Sequence, residues 1–350
     1  MKKVFNLLLF LTAFAVHTWA QGEESSSILL RVDGNLPVTE DRNGKLKEKM
    51  SENAKILLDA LNNALYSGEP PVIGSKIMTD AGQQELHTLW KNSQFYCEMS
   101  EVDAKLVKYS HLAIKDKKEC AYEIEGIPVQ MYEQEDGCPQ ALNILFNGQG
   151  KICGLTFSLN TNIVRNISDK EGTELDLNRQ KIILRFLEEF RTAYNRKDLA
   201  FLEKVYSDDA LIIVGRTIQK KDNNKIVLSN SDFKNVSQSN VEYLKQSKPQ
   251  YLSRLKSVFN ANEYINVDFE NIKIIKHPNK SRRYENQYCV NLNQSWTSTK
   301  KNGTGYHDDG YLFLLVNFDD LDHPTIQIRT WQNMKDTDPE DKITIYNINL

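Results

Sequence analysis

IILRFLEEFRTAYNRKDLAFLEKVYSDDALIIV, Ile182 to Val214, holds the instructions for two helices and a strand in 33 residues. Apolar Ile183, Phe186, Leu187, Phe190 and Tyr194 recur at helical spacing, while Arg185, Glu188, Glu189 and Arg191 fall on the other face, which predicts a one-sided helix. Asn195 to Asp198 breaks that pattern. Asp198 is placed to cap a second helix, whose buried side is Leu199, Leu202, Val205 and Tyr206. Asp208-Asp209 ends this helix as a junction feature, and Ala210 to Val214 reads as a buried strand.

Downstream, Ser247 precedes a third helix at Pro249 to Phe259, with Leu252, Leu255, Val258 and Phe259 as its apolar side. Four strands follow, at Ile265 to Lys276, Tyr288 to Ser298, Gly310 to Phe318 and Thr325 to Gln332. Upstream, an ungapped overlay sets Leu57 on Phe186, Leu58 on Leu187, Leu61 on Phe190, Ala64 on Ala193 and Leu65 on Tyr194. The same register then sets Ile73 on Leu202, Ile77 on Tyr206 and Asp80-Ala81 on Asp209-Ala210. Strand composition returns at Cys120 to Tyr132 and at Ala141 to Leu159, the latter split by the turn Asn147-Gly148-Gln149-Gly150. Gly68-Glu69-Pro70-Pro71 interrupts the helical pattern of this first copy.

The order of helix, Asp-capped helix, Asp-Asp-Ala and strand resembles the NTF2-like (SnoaL-like) superfamily. The resemblance implies an α+β fold, in which a curved antiparallel sheet wraps around about three helices to form a cone with a pocket. Applied to both halves, it implies two tandem copies, the first degenerate. The chain then divides into a signal peptide (1–20), a flexible leader (21–50), a degenerate NTF2-like domain (51–165), a linker (166–178), an NTF2-like domain (179–335) and a trailing strand or tail (336–350). The superfamily includes ketosteroid isomerases and polyketide cyclases. Anchored on Asp198 and Asp208-Asp209-Ala210, the resemblance puts the isomerase-type oxyanion tyrosine at Phe190 and the general-base aspartate at about Val214. Phe cannot donate to an oxyanion and Val cannot take a proton, which counts against enolising chemistry.

Lys2-Lys3, the 13-residue apolar run Val4 to Val16 and Thr18-Trp19-Ala20 read as a cleaved secretory signal; the run is short of the roughly 20 residues a membrane span needs. With the overall pattern, it resembles exported proteins of Bacteroidetes-type Gram-negative bacteria, which implies the periplasm, the cell surface or secretion. No later segment is apolar enough to span a bilayer. A net charge of −3 with mixed signs gives no electrostatic footprint for nucleic acid, and Lys220-Lys221 and Arg282-Arg283 read as solvated loops. Of five cysteines, Cys97, Cys120, Cys138, Cys153 and Cys289, the odd count leaves one thiol over; one disulfide in the first half and buried thiols throughout are both open. Sequons begin at Asn166, Asn235, Asn279, Asn293 and Asn302, about the number chance gives in an Asn-rich chain.

Strand alternation sorts the candidate site residues. Tyr288, Val290, Leu292, Gln294 and Trp296 share one face, Tyr311, Phe313 and Leu315 another, and Gln327, Arg329 and Trp331 a third. Large aromatics beside Gln and Arg make a pocket wall, so Tyr194, Gln294, Trp296, Tyr311, Arg329 and Trp331 are the candidate ligand-binding residues. The alternative catalytic set is His307, Asp308 and Asp309, an imidazole beside two carboxylates, although Gly303, Gly305 and Gly310 around it predict a turn. Asp319, Asp320 and Asp322 lack calcium-loop spacing, and no nucleophile elbow, phosphate loop or zinc helix occurs. Neither a cofactor nor a metal is implied. The leading expectation is an exported, non-catalytic protein that binds a small ligand or a partner protein. A small-molecule isomerase, cyclase or hydrolase is the second reading, and an assembly module homodimerising through sheet faces the third.

Overall fold

The structure, a computed structural model, describes residues 29–30, 44–97, 101–102, 108–111, 120–132, 140–159, 177–217 and 241–348. Its strand β1 (Leu29–Leu30) precedes helix α1 (Lys45–Ser67), whose stripe Met50, Ala54, Leu57, Leu58, Leu61 and Ala64 is buried at helical spacing. The helix stops where Gly68 takes a left-handed φ of 72°, which side chains resist. Helix α2 (Asp80–Ser93) starts on Thr79, whose hydroxyl accepts a hydrogen bond from Gly82 N. Short strands β2 (Phe95–Tyr96), β3 (Glu101–Val102) and β4 (Lys108–His111) lead to β5 (Cys120–Met131), β6 (Gln140–Asn147) and β7 (Ile152–Ser158). The first sheet runs β2-β5-β6-β7, with β4 also on β5, while β1 and β3 form a separate parallel pair. Helices α1 and α2 share one apolar core with β5, β6 and β7. Cys120 and Cys153 are joined by a disulfide.

The second half begins with α3 (Leu177–Asn195) and α4 (Leu199–Val205), the latter capped by Asp198 Oδ1, which accepts from Phe201 N at 2.9 Å. Strands β8 (Tyr206–Thr217) and β9 (Val241–Gln246) then lead to α5 (Lys248–Ala261). A capping box starts α5: Ser247 Oγ accepts from Gln250 N, and Gln250 Oε1 accepts from Ser247 N at 2.9 Å. Four long strands, β10 (Asn262–Lys276), β11 (Gln287–Lys300), β12 (Gly305–Asn317) and β13 (Thr325–Asn333), complete a sheet of order β10-β11-β12-β13-β8-β9. Its neighbours are antiparallel except for the parallel pair β13–β8. The sheet curls around α3, α4 and α5, and Leu187, Phe190, Leu202 and Leu255 from the helices meet Ile265, Val267, Leu312 and Leu314 from its inner face. This is an α+β arrangement with a mixed helix-and-sheet core.

Several expectations are corrected here. The overlay of the two halves keeps the apolar stripes of α1 and α3 in phase and then fails. Asp80-Ala81 opens a helix, whereas Asp209-Ala210 lies inside β8, because the chain spends Gly68 to Thr79 reaching α2, a length that periodicity does not record. Asp208-Asp209 ends no helix, since α4 stops at Val205; both are exposed, and Asp208 accepts from Lys248 Nζ at 2.8 Å. Among its described residues the first half has the two helices α1 and α2. Within the trailing segment, Ile343, Ile345 and Ile348 are buried on the sheet's outer face against Cys289, Phe313, Leu315 and Ile328. The signal segment, most of the leader, the linker up to residue 176, Asn166, Lys220-Lys221, Asn235 and Cys138 lie outside the described residues.

The polar face of α3 is covered by the first half of the chain. Arg191, 1% exposed, donates from Nε to Val267 O (2.8 Å), from Nη1 to Ser158 O (3.0 Å) and from Nη2 to Gln140 Oε1, with Asp268 Oδ1 3.1 Å from Nη2. Thr192 Oγ1 accepts from Phe157 N at 2.8 Å, and Arg185 pairs with Glu123. Helix α3 therefore shows its apolar side to its own sheet and its polar side to β6 and β7.

Candidate functional site

Between α5 and the inner face of the second sheet lies a cavity of about 380 Å³. Period-two alternation puts Gln294, Trp296 and Ser298 of β11 on its wall, with Tyr306 and Asp308 of β12 and Arg329 and Trp331 of β13. Helix α5 contributes Tyr251, Leu255 and Val258, and Val214 and Gln246 close the side formed by β8 and β9. Exposed Arg254 and Lys300 stand on the same lining. A broader, shallower depression of about 580 Å³ adjoins it over Lys245, Pro249 and Gln250.

Gly310 makes one wall of this cavity possible. A Cβ built there would stand 2.2 Å from Trp331 Nε1 and 2.3 Å from its Cε2, so the indole occupies the space a side chain would need. Gly310→Ala is expected to push Trp331 out of place at an overpacking cost of about 1–3 kcal/mol. The checks are a changed tryptophan near-UV dichroism spectrum and a lowered urea midpoint; an unaltered spectrum with full stability would refute this contact.

Behind the cavity three tyrosine hydroxyls form a chain, with Tyr194 Oη 3.1 Å from Tyr206 Oη and 2.7 Å from Tyr251 Oη. Burial first, and then the neighbouring tyrosine, push Tyr194 and Tyr206 well above the usual phenol range, so both stay neutral hydrogen-bonding groups. Arg329 is 5% exposed, and its guanidinium carbon lies 5.1 Å from the centroid of the Tyr251 ring. Its Nε and Nη1 have no acceptor among the described residues, nor has Trp331 Nε1. Asp308 does not serve them: its Oδ2 accepts from Tyr306 Oη at 2.8 Å and its Oδ1 from Asn333 Nδ2 at 2.7 Å. Burial, then the hydrogen bond to Asp308, push the Tyr306 hydroxyl up to about 12.

Of the residues singled out by alternation, Gln294, Trp296, Arg329 and Trp331 come together on the cavity wall. Tyr194 stands one layer back, 2% exposed, its ring edge-on to Trp296 at 6.1 Å. Tyr311 faces the other way, under Lys342 Nζ at 4.0 Å, because its neighbours Gly310 and Leu312 are the ones that point inward. Gln327 is parted from Arg329 by an irregularity between Ile326, which faces the inner core, and Ile328, which faces the outer one. The alternative catalytic set is split by the pleat. His307 and Asp309 lie on the outer face, 3.2 Å apart and about half exposed, and His307 Nδ1 meets Thr297 Oγ1 at 3.0 Å. Asp308 alone points into the cavity. None of the three is in a turn, since Gly303 with φ 78° turns the chain and β12 has begun by Gly305. Sequence reasoning missed Tyr251 and Tyr306, although Tyr251 keeps i, i+4 spacing with Leu255 and Tyr306 alternates with Asp308.

No protein-family model matches the chain, and no curated protein matches it. Among solved structures, it is similar to a protein described as a candidate scytalone dehydratase from Novosphingobium aromaticivorans, at 13% identity over 46% of this chain and 88% of that one, with a TM-score of 0.33. It is also similar to a ketosteroid isomerase-like protein from Erwinia carotovora atroseptica, at 14% identity over 44% and 92%, TM-score 0.28. A third is ActVI-ORFA from Streptomyces coelicolor, at 6% identity over 44% and 96%, TM-score 0.30. Each spans less than half of this chain, the length of one unit. The strand order and the three enclosed helices described above settle the topology.

The second half of the chain has an α+β cone arrangement, a curled sheet around three helices.

The resemblance singles out Phe190 and Val214 as the positions of an isomerase's oxyanion tyrosine and base. Phe190 is fully buried among the rings of Tyr194, Tyr206 and Phe269, and Val214 lines the cavity.

Proposed function

We propose that this is an exported, non-catalytic protein that binds a small ligand in the cone of its second half, and that its first half, a degenerate copy of the same fold, is chiefly structural. One observation carries the reading: two tryptophans and a buried arginine converge on a cavity whose one carboxylate among the described residues, Asp308, is already hydrogen-bonded through both oxygens. Such a wall suits binding, and among the described residues it offers no adjacent base and nucleophile. Export rests on Lys2-Lys3, the apolar run after them and Ala20.

The enzyme reading keeps less support, because His307 stands on the opposite face from Asp308. Sheet-to-sheet assembly has to contend with Ile343, Ile345 and Ile348, which cover part of the outer face such pairing would use. Native mass spectrometry of gently purified protein tests the binding reading: a reproducible extra mass, released on unfolding, is expected. Trp296→Ala and Trp331→Ala should each weaken retention of that ligand about 30-fold or more, the usual cost of truncating an aromatic anchor. Equal retention in both variants would remove the cavity from consideration.

A further inference from the structure

We infer that the ligand is a planar, apolar compound bearing one carboxylate, with the carboxylate seated on Arg329. The inference rests on the binding reading above and adds the chemistry of the ligand.

Arg329 is 5% exposed and sits on the cavity wall, yet two of its nitrogens have no acceptor among the described residues. Trp331 Nε1, on the same strand and the same wall, also lacks one. A buried guanidinium never loses its proton, and a buried donor without an acceptor is costly to the fold. The wall thus presents several donors where an acceptor-rich group is needed. Asp308, the one acidic residue on the wall among the described residues, is committed to Tyr306 and Asn333. Arg254 and Lys300 at the exposed margin add to the positive charge of Arg329, so the lining as a whole favours an anion. A carboxylate answers all of this: one charge and two oxygens with about four lone-pair sites for the waiting donors.

The remainder of the ligand follows from the rest of the lining. Trp296, Trp331, Leu255, Val258 and Val214 offer apolar and aromatic surface, which suits a flat unsaturated body. A volume of about 380 Å³ is at the small end of ligand cavities, so one or two rings fill it.

The test uses trans-cinnamate as the probe and trans-cinnamamide as its neutral counterpart, titrated calorimetrically into the full exported chain. Cinnamate is expected to bind about 10- to 100-fold more tightly than the amide, the range for a charge-assisted hydrogen bond. Arg329→Gln should abolish this preference, and Arg329→Lys, which keeps the charge and tests against simple misfolding, should retain part of it. Equal binding of acid and amide by the native protein, or a preference that survives Arg329→Gln, would overturn the carboxylate assignment. The binding reading would then still stand if Trp296→Ala weakened both probes. Failure of both probes to bind at millimolar concentration, in protein that carries no retained mass, would overturn the assignment and the binding reading together.

Discussion

Replacing Arg191 with leucine is expected to lower folding stability by about 3–5 kcal/mol, because it breaks a buried ion pair from one side and strands its partners. The guanidinium is 1% exposed and holds four oxygens from three segments: Val267 O in β10, Ser158 O at the end of β7, Gln140 Oε1 in β6, and Asp268 Oδ1. Leucine supplies no donor, so two backbone carbonyls and a glutamine amide lose their partner where water enters poorly. Lysine should recover little, since one ammonium cannot reproduce a planar fork aimed at acceptors on three elements. Asp268→Asn should cost far less, about 1 kcal/mol, as Asp268 keeps a quarter of its side-chain exposure and an amide oxygen still accepts from Phe269 N, the bond from Gln140 Nε2 alone being lost. Urea denaturation measures all three. Because Arg191 ties the first half of the chain to the second, its loss should also split one cooperative transition into two. A cost below about 1 kcal/mol with a single transition would show that the two halves do not depend on this contact.

Which parts of this molecule could be read from residues alone depends on how local their causes are. The apolar stripe of α3 and the Asp198 cap are written within a few residues, and both were legible. The other side of α3 was not. Glu188, Arg191 and Thr192 look like an ordinary polar helix face, and only the arrival of β6 and β7, some 30 to 50 residues earlier in the chain, buries them. In the second sheet, alternation grouped residues correctly within β11 and for the pair Arg329 and Trp331. It could not say which side of β12 faced inward, because that depends on the pairing of Gly310 with Gln294 across strands. Tyr311 was misplaced for that reason. The glycines around His307 misled in a physical way too: Gly303 serves a turn, while Gly310 serves to make room for Trp331, and sequence does not distinguish the two uses.

Stability of the native chain should fall as pH rises from about 5 to 8 through Glu188, and Glu188→Gln should remove that component. The carboxyl lies in the seam between the halves, where Oε1 accepts from Leu159 N (3.0 Å) and Ser158 Oγ (3.3 Å), and Oε2 from Asn143 Nδ2 (3.3 Å). Burial is the largest influence and raises its pKa from 4.5 to about 7; the Leu159 N–H opposes this, the charge of Glu125 adds to it, and Arg185 and Ser158 oppose it. The folded state therefore keeps a proton that the unfolded chain has lost between about pH 4.5 and 7. Below this window the group contributes nothing, through it stability declines, and above it the full penalty applies, at most about 3 kcal/mol for a partly buried group. Glutamine keeps an oxygen for Leu159 N but turns an amide toward Asn143, a loss of about 1 kcal/mol that is independent of pH. The variant should accordingly be the less stable protein near pH 5 and the more stable one near pH 8. His277, whose pKa burial lowers, acts with the opposite sign below about pH 6.5, so the readout is the difference between variant and native protein rather than either curve. A difference that stays flat from pH 5 to pH 8 would mean that Glu188 titrates alike in the folded and unfolded chain, and that water reaches the seam freely.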